Sequence, residues 1–243
     1  MFHINFVNIL AYFQLSLDLL FVIGIASLLV FVNWMDTSYF HTQTYGQNSN
    51  QKIKAPPLQD LIKNGSPFQG NVSAPITIID FSDFQCYLCN RFVKNTEPLL
   101  NESYIQTGKA VLVFNHLPNR GLDSMGAALA AQCTNDQGKF WQFHNLLYSN
   151  QKAIDSGWVN KENLQNFASQ IPGLDIRQFD SCFGSEKYKS FVQKDIELAL
   201  SFGFRETPSF IVVNSNGSSA ETLSGALPFE SFKAVIDKKI SAG

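Results

Sequence analysis

The stretch of this chain with the strongest strand character ends just before a pair of cysteines. Residues 76–81, Ile-Thr-Ile-Ile-Asp-Phe, are mostly apolar and β-branched, and Cys86 and Cys89 follow in a Cys-x-x-Cys pattern. Apolar, β-branched runs of this length favour a buried strand. The pattern predicts a strand near 76–82 that leads into a helix near 87–104, which places both thiols at a strand-to-helix junction.

A cysteine at the start of a helix loses its proton easily, because unpaired backbone N–H groups and the helix dipole favour an anion. We therefore expect the thiolate of Cys86 to take part in thiol–disulfide exchange. A zinc site is one alternative, but Cys133 and Cys182 are single and far apart, whereas structural zinc sites use close ligand pairs. An inert disulfide within the motif is another, although two intervening residues at a helix start give a strained, reducible bond.

Four further segments, spread over about 67–240, occur in a characteristic order. They are Gly70-Asn71-Val72-Ser73-Ala74-Pro75, Asp80-Phe81-Ser82-Asp83-Phe84-Gln85-Cys86, Ala128-Leu129-Ala130-Ala131-Gln132-Cys133 with Gly138-Lys139-Phe140-Trp141, and Gly203-Phe204-Arg205-Glu206-Thr207-Pro208-Ser209-Phe210. Together they resemble the DsbA-like thioredoxin-fold thiol-disulfide oxidoreductases. The resemblance implies an α/β thioredoxin domain over residues 64–243, with no cofactor and no metal.

The spacing of apolar residues fills in this fold. Residues 122–204 have three- and four-residue spacing, which predicts a helical insertion at about 120–204. Besides the strand and helix around the cysteines, we expect strands near 110–115, 209–213 and 221–224 and a helix near 229–240.

The resemblance assigns roles near the end of the chain. Pro208 matches the proline that is cis in the family and packs against the active disulfide, leaving the preceding backbone, at Thr207, free to pair with a substrate peptide. A proline has no backbone N–H to donate to a neighbouring strand, and the loss of this hydrogen bond destabilises a sheet least at the first residue of a strand.

The proton carrier has two candidates. Asp80, six residues before Cys86, matches the buried acid of thioredoxin-like proteins. Its apolar neighbours would desolvate the carboxyl and raise its pKa, so that it can exchange a proton with Cys89. Asp83 is the competing carboxylate, expected at the loop edge, solvated or capping the helix.

The dipeptide between the cysteines departs from the family. Tyr87-Leu88 stands where relatives usually have a proline, so the first helical turn is less rigid. Neither residue brings the positive charge that would stabilise a thiolate and make the protein a strong oxidant. Arg91, on the next turn, either supplies that charge or is a solvated surface arginine.

The two remaining cysteines, Cys133 and Cys182, are paired in some relatives of this family. The resemblance therefore favours a structural disulfide between them, and two buried free thiols are the alternative. All four cysteines follow the apolar N-terminal segment, which fits an oxidising compartment.

Residues 1–35 contain one charged side chain, Asp18. The segment 12–34 would reach about 34 Å as a helix, which spans a bilayer. We predict one N-terminal transmembrane helix that acts as a signal-anchor, followed by a polar stalk over 36–63. A cleaved signal peptide is the alternative, but the length, the missing basic n-region and the bulky residues 31–35 disfavour it.

These features predict a single-pass protein of the cell membrane with an extracytoplasmic catalytic domain. Its expected activity is the formation of disulfide bonds in exported proteins with free or mispaired cysteines, and a membrane redox partner would reset the Cys86/Cys89 dithiol. The net charge of −2 does not indicate the basic surface that nucleic-acid binding requires. The alternatives are a reductase or isomerase that uses the same site, and a non-catalytic accessory subunit of a membrane complex.

Overall fold

Five strands form one mixed sheet in the computed structural model, which describes residues 55–242. The strands are β1 (Phe68–Gly70), β2 (Ile76–Ser82), β3 (Ala110–His116), β4 (Ser209–Asn214) and β5 (Glu221–Ser224). Their order is β1-β3-β2-β4-β5, and only β2 and β3 run parallel. The central strand β2 is buried along its whole length, because helices cover both faces of the sheet.

Nine α-helices pack around this sheet in the described residues. They are α1 (Leu58–Lys63), α2 (Tyr87–Asn95), α3 (Glu97–Leu100), α4 (Ser124–Asn135), α5 (Phe140–Ser149), α6 (Lys161–Ser169), α7 (Ile176–Gly184), α8 (Lys189–Ser201) and α9 (Phe229–Ser241). The helix predicted near 87–104 is broken into α2, α3 and a π-helical turn at Asn101–Ile105. The break follows from Pro98, which has no N–H for the helical ladder and is suited to the first turn of a new helix.

The two faces of the sheet have separate cores. One face packs on α2, α3 and α9; its buried residues include Ile76, Ile78, Phe92, Leu100, Leu112, Phe210, Phe232 and Ile236. The other packs on α1 and α8; its buried residues include Leu58, Leu61, Ile79, Phe81, Val113, Ala199, Phe204 and Ile211. The alternation of β2 thus places Ile78 and Asp80 on the α2 side of the sheet.

The helical insertion predicted at about 120–204 is present as α4 to α8. Its own core is rich in aromatic residues and reaches the sheet at Phe114 and the cysteine motif at Cys86 and Cys89. A disulfide joins Cys133 of α4 to Cys182 of α7, with a Cα–Cα distance of 5.8 Å. The Cys-x-x-Cys motif therefore lies where the insertion meets the thioredoxin core.

The stalk predicted over 36–63 is wrong in its last residues. Ala55, Leu58 and Leu61 are buried against the sheet, and α1 is part of the folded domain. Two leucines three residues apart place their side chains on one helical face, and this local signal outweighs the polar composition of the segment as a whole. The transmembrane helix predicted over 1–35, and the stalk up to residue 54, lie outside the described residues. Within residues 55–242, no helix has the length and apolarity to cross a membrane.

Candidate active site

The two thiols of the motif occupy different environments at the start of α2. Cys86 is the N-cap of this helix, and its Sγ accepts a hydrogen bond from the Cys89 N–H (3.4 Å). As a thiol, Cys86 also donates to the carbonyl oxygen of Thr207 (3.2 Å). Both cysteines are free, and Cys89 is enclosed completely by the surrounding core.

Their surroundings separate the two pKa values. A hydrogen bond from the Cys89 side chain lowers the pKa of Cys86 to about 6, with smaller contributions from Thr207, the Cys89 N–H and the charge of Arg120. Burial raises the pKa of Cys89 well above its ordinary value, and the neighbouring Cys86 and Asp80 raise it further. At neutral pH, these surroundings favour the thiolate at Cys86 and the thiol at Cys89.

The Thr207–Pro208 loop faces Cys86 from the start of β4. Its peptide bond is cis, as the resemblance implies. The carbonyl of Thr207 points at the Cys86 sulfur, and the Thr207 hydroxyl lies 3.4 Å from Oδ1 of Asn119. The loop thus places its backbone next to the Cys86 sulfur.

Asp80 is buried in the middle of the sheet, on the face that carries α2. Its Oδ1 accepts a hydrogen bond from the Ser82 hydroxyl (2.6 Å). Burial raises the pKa of Asp80 to about 7; the Ser82 hydrogen bond opposes this shift, and the Cys86 charge adds to it. A carboxyl with this pKa can hold or release a proton at neutral pH, as a partner of Cys89 requires.

Asp83 does not lie at a solvated loop edge, and this expectation is wrong. Only 2% of the residue is exposed. Its Oδ1 accepts from the Gln85 N–H (2.8 Å), while Oδ2 accepts from the N–H groups of Asn119 (2.7 Å) and Arg120 (2.8 Å). Asp83 therefore ties the loop after β3 to the loop before Cys86. The signal that could have revealed it is the parallel pairing of β2 with β3, which brings these two loops to one edge of the sheet.

Arg120, which sequence reasoning missed, reaches the site from that loop. Its Nη2 lies 2.6 Å from Oε2 of Glu206 and 3.4 Å from the Thr207 carbonyl oxygen, and its Nε lies 3.3 Å from Oγ1 of Thr207. Arg91, the basic residue considered from the sequence, instead donates to the Ala226 carbonyl (3.3 Å) on the exposed surface. No sequence spacing links Arg120 to Cys86, because the two meet only through tertiary structure.

Comparison with known proteins places this fold and site. The family model described as thioredoxin matches residues 63–238. The chain belongs to the thioredoxin family. Within that family, it is 33% identical over 174 residues to the probable disulfide bond formation protein D of Bacillus anthracis. This match covers 70% of this chain and 76% of the relative. A second relative, disulfide bond formation protein D of Bacillus subtilis, is 26% identical over 178 residues, covering 72% of this chain and 78% of the relative.

Solved structures agree with the family assignment. The oxidised crystal structure of BdbD from Bacillus subtilis matches with a TM-score of 0.67 at 25% identity, covering 78% of this chain and 98% of BdbD. The crystal structure of alpha-DsbA1 from Wolbachia pipientis matches with a TM-score of 0.63 at 26% identity, covering 73% of this chain and 92% of the other. This thioredoxin-family member is a DsbA-like protein thiol-disulfide oxidoreductase with a helical insertion.

The cysteine chemistry of this family member is divided between two pairs. Cys133 and Cys182 are bonded to each other in the insertion, so they do not complete a zinc site with the Cys-x-x-Cys motif. Cys86 and Cys89 are left as the redox-active candidates, with Asp80 beneath them and the Thr207–Pro208 loop beside them.

Proposed function

We propose that this oxidoreductase forms disulfide bonds in exported proteins by passing on a disulfide between Cys86 and Cys89. The observation that carries the proposal is the position of Cys86 at the N-cap of α2, where the Cys89 N–H donates to its Sγ (3.4 Å) and contacts with Cys89 lower the pKa of the thiol to about 6. Whatever stabilises the thiolate stabilises the reduced form of the protein, and a protein with a stable reduced form has an oxidising disulfide. The names of the Bacillus relatives, disulfide bond formation protein D, support the same direction.

The reaction takes place in two exchanges. A substrate thiolate attacks the Cys86 sulfur, the Cys86–Cys89 bond breaks, and Cys89 leaves with the electron pair and receives a proton from Asp80. A second substrate thiolate then attacks the substrate sulfur of the mixed disulfide, and Cys86 leaves as a thiolate. The substrate loses two electrons and two thiol protons. The protein gains the two electrons; one of the two protons replaces the proton that Asp80 gave to Cys89, and the other goes to solvent.

Thr207 and Pro208 hold the substrate peptide in this proposal. Two exposed apolar side chains extend the surface on which an unfolded chain would lie: Tyr87, next to Cys86, is 72% exposed and Leu122 is 92% exposed. The loop of Leu122 is tied to the motif through Asp155, which accepts from the Leu122 N–H (3.0 Å) and from the Gln85 amide (3.1 Å). Exposed apolar residues at a reactive site favour unfolded protein substrates over small thiols.

The proposed location is the extracytoplasmic side of the cell membrane. The apolar residues 1–35 would anchor the chain as a single span, and residues up to 54 would hold the domain away from the bilayer. The Cys133–Cys182 disulfide fits an oxidising compartment. A membrane redox partner would accept two electrons from the reduced Cys86/Cys89 pair after each turnover.

Reduction or isomerisation would use the same residues, but the stabilised Cys86 thiolate favours oxidation. A non-catalytic accessory subunit is also not favoured, because it would not need two thiols of such different pKa.

Disulfide transfer to a peptide tests the proposal. The oxidised full chain, mixed with a reduced two-cysteine peptide, should produce one peptide disulfide per protein molecule, and Cys86→Ser should produce none. Given the oxidised peptide, Cys89→Ser should stall as a mixed disulfide at Cys86, which mass spectrometry identifies. The matched control, Cys133→Ala with Cys182→Ala, should retain transfer. A wild-type protein that keeps its disulfide in the presence of excess reduced peptide would rule out the proposed function.

A further inference from the structure

The site lacks a positive group within the motif itself, yet the structure brings one to the reactive sulfur. Tyr87 and Leu88 are uncharged, and Arg91 is occupied at the Ala226 carbonyl. Arg120 reaches Cys86 from the loop after β3, and its Nη2 is 3.4 Å from the same Thr207 carbonyl oxygen that Cys86 contacts at 3.2 Å. The guanidinium and the sulfur therefore flank a single oxygen atom.

Contacts of the backbone and of the side chain hold Arg120 at this position. Asp83 accepts the Arg120 backbone N–H (2.8 Å), and Glu206 pairs with the side chain at 2.6 Å. The next residue, Gly121, packs so closely that an added Cβ would come within 2.3 Å of an Asp155 oxygen and 2.7 Å of the Gln85 amide nitrogen. A charge fixed before the reaction does not have to be reorganised when the thiolate forms.

The interaction of Arg120 with Cys86 differs between the two redox states. In the oxidised protein, the Cys86 sulfur is bonded to Cys89 and has no charge. In the reduced protein, the thiolate is attracted to the guanidinium. The Thr207 carbonyl, to which the Cys86 thiol donated, then accepts from Arg120 alone of the two groups. An interaction made in one state only shifts the equilibrium toward that state.

We propose that Arg120 stabilises the reduced form of this oxidoreductase by holding its guanidinium beside the Cys86 thiolate, which makes the Cys86–Cys89 disulfide a stronger oxidant. This inference rests on the proposed function. Arg120 takes the place of the positive group that the Tyr87-Leu88 dipeptide lacks. Asp80 and Asp83 are the acids that oppose it near the thiol, and Glu206 neutralises part of its charge from the solvent side.

Charge removal at this position tests the proposal. In the full chain, Arg120→Met keeps much of the side-chain length without the charge, and we expect the pKa of Cys86 to rise by about one unit. The equilibrium constant with glutathione at pH 8 should move about tenfold toward the protein disulfide, which corresponds to about 30 mV. Arg120→Lys should recover most of the wild-type pKa, and the matched control Arg91→Met should leave both values unchanged. Thiolate absorbance and thiol alkylation give the two readouts.

A second variant changes the same interaction in the opposite direction. Glu206→Gln removes the counter-charge of Arg120 and should lower the pKa of Cys86, shifting the glutathione equilibrium about twofold toward the dithiol. Glu206→Gln tests the effect of the Arg120 charge on the Cys86 thiolate even if Arg120→Met does not fold. Unchanged values in a folded Arg120→Met, or an unchanged or raised pKa in Glu206→Gln, would overturn the proposal. The pKa of Cys86 reports on Arg120 whether or not the wild type transfers disulfides, so the failure of the proposed function is seen separately.

Discussion

At the scale of single residues, the site depends on placing chemically identical groups in unlike surroundings. Cys86 and Cys89 are three residues apart, but one caps a helix beside a carbonyl and a guanidinium while the other is enclosed in the core. Asp80 and Asp83 are divided in the same way. Asp83 accepts three backbone N–H bonds, whereas Asp80 has one hydroxyl partner and a pKa of about 7.

The proposed proton transfer predicts a kinetic effect for Asp80→Asn. An amide cannot exchange a proton with Cys89, so the exchange step at Cys89 should slow by about 100-fold. The wild-type rate should change with pH around 7, and the variant should lose this inflection. Rapid mixing with an oxidised peptide, followed by acid quench and mass spectrometry, measures the step. A variant that keeps the wild-type rate and the inflection would show that another group carries the proton.

The same substitution predicts a pH-dependent change in stability. Burial raises the pKa of Asp80 from 3.8 to about 7, so the folded state disfavours the ionised carboxylate. Stability from this group is complete below about pH 4 and is lost as the pH rises to about 7. The free energy of unfolding of Asp80→Asn should therefore rise relative to that of the wild type across this window, by about 2–4 kcal/mol at pH 8. Urea unfolding at pH 4 and pH 8 checks this, and a constant difference would contradict it.

At the scale of elements, the site is assembled by loops at one edge of the sheet. The parallel pair β2 and β3 ends at this edge, with Ser82 opposite His116. The segment after β3 carries Arg120, and the segment before β4 carries Thr207 and Pro208. Asp83 bridges the first of these loops to the motif, so the position of Arg120 beside the thiolate depends on one buried carboxylate.

Asp83→Asn should loosen that assembly. The amide NH₂ would face a backbone N–H that the carboxylate oxygen now accepts, which leaves a buried donor unpaired. We expect a loss of about 1–3 kcal/mol in the free energy of unfolding. Urea unfolding measures this loss. Asp123→Asn, on the same loop but with no side-chain cap hydrogen bond, is the control and should match the wild type. Equal stability of both variants would refute the anchoring role.

At the scale of the whole molecule, the thioredoxin core and the helical insertion each have their own packing. The Cys133–Cys182 disulfide closes a loop with a sequence separation of 49 residues within the insertion. The thiols of the motif lie at the boundary, where α2 contacts the insertion through α5. The insertion therefore covers both thiols, Cys89 completely and Cys86 to all but 2% of its surface.

Removal of the structural disulfide should cost stability more than chemistry. Replacing both Cys133 and Cys182 by alanine frees the unfolded chain of a long cross-link, and we expect the free energy of unfolding to fall by about 2–4 kcal/mol. Disulfide transfer by Cys86 and Cys89 at low temperature should continue, because neither bridge sulfur reacts. Denaturant unfolding and the peptide assay measure the two effects. Loss of transfer in a fully folded variant would show that the bridge takes part in the reaction.

Sequence reasoning predicted what depends on local pattern. The four longer strands and the insertion follow from runs of apolar residues, and the cis proline follows from the family resemblance. Asp83 was misjudged, because its burial depends on the pairing of β2 with β3 and on a contact with Asn119, 36 residues away in the chain. Arg120 was missed, because it reaches the site through a contact with Thr207, 87 residues away. Helix α1 was missed because the polar composition of residues 36–63 outweighed the pair Leu58 and Leu61 in the prediction, and β1 was missed because three residues are too few to show a period.

The redox equilibrium of the full chain with glutathione buffers tests the central claim most directly. Thiol alkylation and mass spectrometry would follow the Cys86/Cys89 pair, with Cys86→Ser as the blank and Cys133→Ala with Cys182→Ala as the control for the structural disulfide. A pair with a stabilised Cys86 thiolate should titrate reversibly at a potential above about −200 mV, on the oxidising side of glutathione. A potential near the roughly −270 mV of thioredoxin, or the absence of titration, would contradict a disulfide-forming oxidoreductase.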